Sequence, residues 1–77
     1  MIYFLMPDPP NDAILYTHDN NDLDDAFDMF EREHWNDEMT SAIGVWRQGS
    51  LVAQVLPVYS QYIKRYRAEL YKIPPPT

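Results

Sequence analysis

The sequence predicts an α+β domain, a small antiparallel sheet of about four strands with two helices packed on it in the order β-β-α-β-β-α. Three observations carry this prediction. Short apolar runs rich in strand formers sit at residues 2–6, 13–17, 42–47 and 51–56. Leu23, Ala26, Phe27, Phe30 and His34 recur at helical spacing, and so do Tyr59, Tyr62, Ile63, Tyr66 and Leu70. Gln48-Gly49 lies between the third and fourth runs, where a glycine suits a tight hairpin.

Taken in order, residues 2–6 read as a buried strand. Residues 7–12 hold three prolines, which fix φ and remove donors, so they read as a rigid loop. Residues 13–17 form a second strand and 18–20 a turn into the first helix, expected near 22–35. Asn21 is the expected N-cap, with Asp22, Asp24 and Asp25 in the first turn, where the helix dipole favours carboxylates. In the second hairpin a two-residue loop sets Trp46 opposite Leu51 and Val45 opposite Val52. Pro57 is then expected to end the pairing and open a second helix near 58–72. On it Lys64, Arg67 and Tyr71 share the polar side, and Arg65 pairs with Glu69. Residues 74–77 read as an extended Pro-rich tail of a single small domain spanning 1–77. The alternative architecture is two poorly paired hairpins whose core is completed by a homodimer. No residue-level repeat relates the two halves.

Charge is distributed unevenly. Residues 1–46 hold eleven acids and one base, while residues 47–77 hold five bases and one acid, giving the net charge of −6. Nine of the twelve acids fall within residues 19–38, with Arg32 as the single base there. Asp28–Arg32 is the one i, i+4 ion pair of this run, and Asp24–Asp28 is repulsive. Trp35 is expected to project among the acids.

The 77 residues contain no cysteine, so neither a disulfide nor thiolate chemistry is available, which suits a reducing, cytoplasmic setting. No apolar stretch approaches the ~20 residues of a membrane span. Residues 2–6 are too short for a signal-peptide core and lack a basic flank.

Specific chemistries fail on particular residues. Asp19-Asn-Asn-Asp-Leu-Asp resembles the start of a calcium loop, but Asp24 stands where glycine is needed and Phe30 where the bidentate glutamate belongs. Glu31, His34 and Glu38 share helical spacing, yet His18 belongs to another element and zinc needs three or four converging ligands. The serines lack a base, the acids lie on a convex helix, and Gly44 and Gly49 form no phosphate loop. Accordingly no catalytic residue, metal or cofactor is assigned, and the chain is read as a non-enzyme. A nucleic-acid-binding module using the basic, aromatic segment Tyr62-Ile-Lys-Arg-Tyr-Arg67 is one alternative function, and a structural or dimerisation protein is another.

The favoured reading is a binding protein. Six carboxylates from Asp22 to Glu33 span a rise of roughly 16 Å, a linear density near that of a DNA strand. Such a helix suits a basic surface of a larger partner protein, nucleic-acid-binding surfaces included, which it would block. The partner-facing residues are Asp22, Asp24, Asp25, Asp28, Glu31, Trp35, Asp37 and Glu38. In size, acidity and lack of cysteine the chain is similar to small phage-encoded inhibitors, including anti-CRISPR and other host-takeover proteins. That likeness is one of class, covers no motif and carries no residues over.

Overall fold

A computed structural model describes residues 1–6 and 13–74. The predicted loop at 7–12 and all but Pro74 of the predicted tail at 74–77 lie outside the described residues. The elements are β1 (Ile2–Met6), β2 (Ala13–His18), α1 (Leu23–Glu33), β3 (Ile43–Arg47), β4 (Ser50–Ser60) and β5 (Arg65–Lys72). All strand pairs are antiparallel, in the spatial order β2-β1-β3-β4-β5.

The first four strands follow from alternation. Ile2, Phe4, Ile43, Val45, Ala53 and Val55 point to one face and are fully buried. The β3–β4 turn has Gln48 at φ 53 and Gly49 at φ 76, the pair of positive angles of a type I′ hairpin. Trp46 pairs with Leu51 as expected, but a bulge shifts Val45 from Val52 to Ala53. A second bulge lies between β1 and β2, and with it Leu15 and Tyr16, neighbours in sequence, both reach the core.

α1 covers that one face of the sheet. Ala26 and Phe30 are fully buried, and Phe30 stacks on Phe4 with ring centroids 4.5 Å apart. Leu23, Ala26, Phe27 and Phe30 of the expected apolar stripe are therefore packed, while His34, its last member, is exposed and stacks on Tyr16 at 4.5 Å. The N-cap is Asp22, not Asn21: its side chain accepts from the Asp25 backbone N–H at 3.2 Å. Asn21 instead accepts a hydrogen bond from the Met1 amino group. Its neighbour Asn20 accepts from the Asp22 N–H at 2.9 Å, closing an Asx turn that sets the entry angle one residue later.

The second predicted helix does not exist. Among the described residues there is one helix, and residues 58–72 belong to β4, a turn and β5, so the fold is mostly β and not the predicted four-strand, two-helix α+β arrangement. The competing period explains the difference. From Arg65 to Tyr71 the residues alternate strictly: Tyr66, Ala68 and Leu70 share one face, Arg65, Arg67, Glu69 and Tyr71 the other. Val58, Tyr59, Tyr66 and Tyr71 are strand formers, which reinforces this period over the 3.6 spacing. Pro57 does not open a helix. It pairs with Ala68 inside β4, beyond Val55, where pairing with β3 stops and a missing donor is tolerated.

Candidate interaction surface

β4 and β5 outrun the rest of the sheet. β3 pairs with β4 no further than Ile43–Val55, whereas β4 and β5 continue through Leu56–Glu69, Pro57–Ala68, Val58–Arg67, Tyr59–Tyr66 and Ser60–Arg65. These pairs form a two-stranded arm ~17 Å long at ~3.4 Å per residue. The Lys64 N–H donates to the Ser60 carbonyl at 2.8 Å, and Lys64 at φ 56 takes the left-handed conformation that closes the tip. A bare ribbon is marginally stable, and the arm is braced by Tyr59 and Tyr66, which meet edge to face at 5.5 Å. Tyr62 at the tip is 100% exposed, Ile63 is 51% exposed and Tyr59 is 53% exposed. Lys64 and Arg65 stand beside them without an ion-pair partner among the described residues, and Arg67 pairs with Glu69 at 2.7 Å. Glu69 thus pairs with Arg67 and not with Arg65, because i, i+2 neighbours share a strand face while i, i+4 was a helical expectation.

Trp35 belongs to this surface rather than to the acidic face of α1. The helix ends at Glu33 with His34 as C-cap, and the backbone N–H groups of His34 and Trp35 both donate to the Phe30 carbonyl, at 2.8 and 2.9 Å. That wide last turn swings the indole inward, where it is half-buried against the core. It lines an open cleft of about 320 Å³ together with Asp37, Ile63, Arg65 and Tyr66. Trp35 falls among the acids only if helical spacing is carried two residues past Glu33, where the helix ends.

The acids that were expected to face a partner divide into two groups. Asp22 caps α1. Asp24 meets Lys72 Nζ at 2.9 Å, Asp28 meets Arg32 at 2.9 Å as predicted, and Asp25 meets His18 Nε2 at 3.0 Å and the Asn20 amide at 3.1 Å. The Asn20 hydrogen bond first, then His18, holds the Asp25 carboxyl below the ordinary aspartate pKa. Glu31, Asp37 and Glu38 are exposed and have no ion-pair partner among the described residues. Asp24, Asp25 and Asp28 remain exposed despite their partners, so the outer face of α1 stays open to solvent. The eight residues consequently do not form one patch: Trp35 and Asp37 border the cleft, while the others line α1 or its ends.

His18 is the buried polar group the sequence left without a role. Its Nε2 faces the Asp25 carboxylate and its Nδ1 the Tyr16 hydroxyl at 2.6 Å. A carboxylate only accepts, so Nε2 carries the proton and Nδ1 accepts from Tyr16 in the neutral tautomer. Tyr16 is itself pushed above the ordinary tyrosine pKa, by burial and then by Glu33. The chain Tyr16–His18–Asp25 is a clamp from β2 to α1. Among the described residues, no three His, Asp or Glu side chains are grouped to hold a metal ion, and no helix is long and apolar enough to cross a membrane.

Fold and surface together define a two-layer module, one helix on a five-stranded sheet, with a projecting aromatic and basic arm. No protein-family model matches the chain, and comparison with curated proteins and with solved structures gives no match.

Proposed function

We propose that the protein is a non-enzymatic binding module that engages a larger protein and acts by covering the surface it binds. The observation that carries this reading is the arm tip: Tyr62 is fully exposed and Ile63 half-exposed, at the end of a ribbon whose contribution to the core stops at Ala68. A cluster of large side chains held out in solvent marks an interaction site, and Tyr, Trp and Arg are the residue types that dominate interface energetics. The partner in this reading offers a pocket with an acidic rim to Tyr62, Ile63 and Arg65, and a basic surface to the outer face of α1, including Asp28 and Glu31.

A nucleic-acid partner draws support from Lys64, Arg65 and Arg67 alternating with tyrosines on a β-ribbon. It is weakened by Asp37 across the cleft, by Glu69 on Arg67, and by the net charge of −6. Phosphates would approach against that field.

The deciding experiment compares wild-type protein with a Tyr62→Ala, Ile63→Ser variant in affinity capture from a lysate, beside a gel shift with single- and double-stranded nucleic acid. The expected result is a protein retained by the wild type, lost by the variant at unchanged circular dichroism, and no shift of nucleic acid. A shift by the purified chain that Lys64→Ala with Arg65→Ala abolishes would replace this reading with the nucleic-acid one.

A further inference from the structure

α1 covers one face of the sheet and leaves the other open. Tyr3, Leu5, Ile14, Trp46, Leu56 and Tyr71 point to that open face, opposite in register to the buried Ile2, Phe4, Val45 and Val55. None of the six packs against the core. Tyr3 is 37%, Ile14 62% and Tyr71 47% exposed. At the centre sits Gly44, over which Trp46 and Leu51 fold: a Cβ there would lie 3.0 Å from the indole Nε1 and 3.3 Å from a Leu51 methyl. The centre is therefore low: Gly44 has no side chain, and its cross-strand neighbours on this face are Leu5 and Gln54.

We propose that this face is the interface of a homodimer in which two copies pack sheet to sheet, with the helices outermost. The area is sufficient. Five strands at ~4.8 Å spacing and ~17 Å length give ~400 Å² in projection, which relief by side chains raises to roughly 600–800 Å² of accessible surface per copy. That is near the ~800 Å² per partner of stable interfaces. The face is also electrically self-contained. Glu69 accepts from Arg67 at 2.7 Å and from the Tyr71 hydroxyl at 2.8 Å, so covering it leaves no carboxylate unpaired. Arg65, on the same side of β5, lies out on the arm beyond β3, so the part of the face that the strands share offers a charged partner little to complement, whereas a second apolar face fits it.

The net charge of −6 does not oppose the pairing. α1 lies on the far side of each sheet, so the two acidic helices end ~30 Å apart, counting ~10 Å per layer, well beyond the ~8 Å screening length of physiological salt. The gain is large relative to the monomer. Among the described residues its core holds nine buried apolar side chains, three of them alanine, and the dimer buries a second layer rich in Trp, Leu and Tyr.

The test is the mass of the full chain by sedimentation equilibrium over a wide concentration range, at low salt and at high salt, for wild type, Ile14→Lys and Tyr62→Ala. Ile14 is exposed in the monomer, so its replacement by lysine leaves the fold intact, which circular dichroism checks. The expected outcome is a wild-type mass of twice the 9.1 kDa chain, retained at high salt, unchanged by Tyr62→Ala, and weakened at least tenfold by Ile14→Lys. A wild-type mass of one chain at every concentration overturns the proposal. So does a dimer that dissolves in salt, or one that is lost with Tyr62→Ala and kept with Ile14→Lys, since either moves the contact to the charged poles or the arm.

Discussion

At the scale of single residues, His18 shows how one polar side chain fixes the approach of two elements. It is buried at the end of β2, and both ring nitrogens are used, by Tyr16 and Asp25. His18→Phe keeps the ring but strands the Tyr16 hydroxyl, at a cost of ~1–3 kcal/mol, which urea unfolding measures. The same clamp sets an acid limit. Asp25 titrates lower in the folded chain than in the unfolded one. Its contribution is therefore complete above the ordinary aspartate pKa and is lost as pH falls through the folded value. Unfolding of Asp25→Asn followed between pH 6 and acid, roughly pH 2, should show a flatter acid slope than wild type, since the linkage disappears with the carboxyl. Gln48 offers the opposite test. It occupies a positive-φ turn position that favours Asn or Gly, so Gln48→Asn should raise the melting temperature, by up to ~1 kcal/mol of relieved strain.

At the scale of elements, what was legible depended on whether one period stood alone. β1 to β4 announce themselves through apolar runs, and the Gln48-Gly49 turn is read directly from its glycine. α1 was legible because its apolar stripe and acidic face have no competing alternation. Residues 58–72 carry both periods. Tyr59, Tyr62, Tyr66 and Leu70 fit a helical stripe, and the turn between β4 and β5 contains neither glycine nor asparagine to mark it, since Lys64 itself takes the positive φ. The alternation Arg65 to Tyr71 was the available signal. The same misreading hid the arm, because Tyr62 and Ile63 were assigned to a core that never covers them. Caps were legible only to within one residue, and the distinction is measurable. Asp22→Ala should cost ~0.5–2 kcal/mol in thermal unfolding as loss of the N-cap, whereas Asn21→Asp, one position earlier, should leave the helix terminus unchanged.

At the scale of the whole molecule, the chain is bipolar. The acids are concentrated on α1, and Lys64, Arg65 and Arg67 on the arm. The two poles predict different kinetic signatures for the proposed partner. Exposed carboxylates act at a distance, raising the encounter rate with a basic surface while contributing little once contact is made. A tip aromatic seated in a pocket acts only after contact, and so sets the lifetime. Asp28→Lys with Glu31→Lys reverses exposed charge; it loses the Asp28–Arg32 pair, which at this exposure is worth ~0–1 kcal/mol, and sets a lysine at position 28 against Arg32 at a cost of a few tenths of a kcal/mol. Measured by surface-immobilised kinetics, that variant should associate about tenfold or more slowly at low salt, with the difference shrinking as salt is added and the dissociation rate nearly constant. Tyr62→Ala should do the reverse, leaving association within a few-fold and speeding dissociation roughly thirtyfold, the equivalent of ~2 kcal/mol. An association rate indifferent to both salt and charge reversal would remove α1 from the interface and leave the arm as its whole extent. A dissociation rate indifferent to Tyr62 would do the same to the arm.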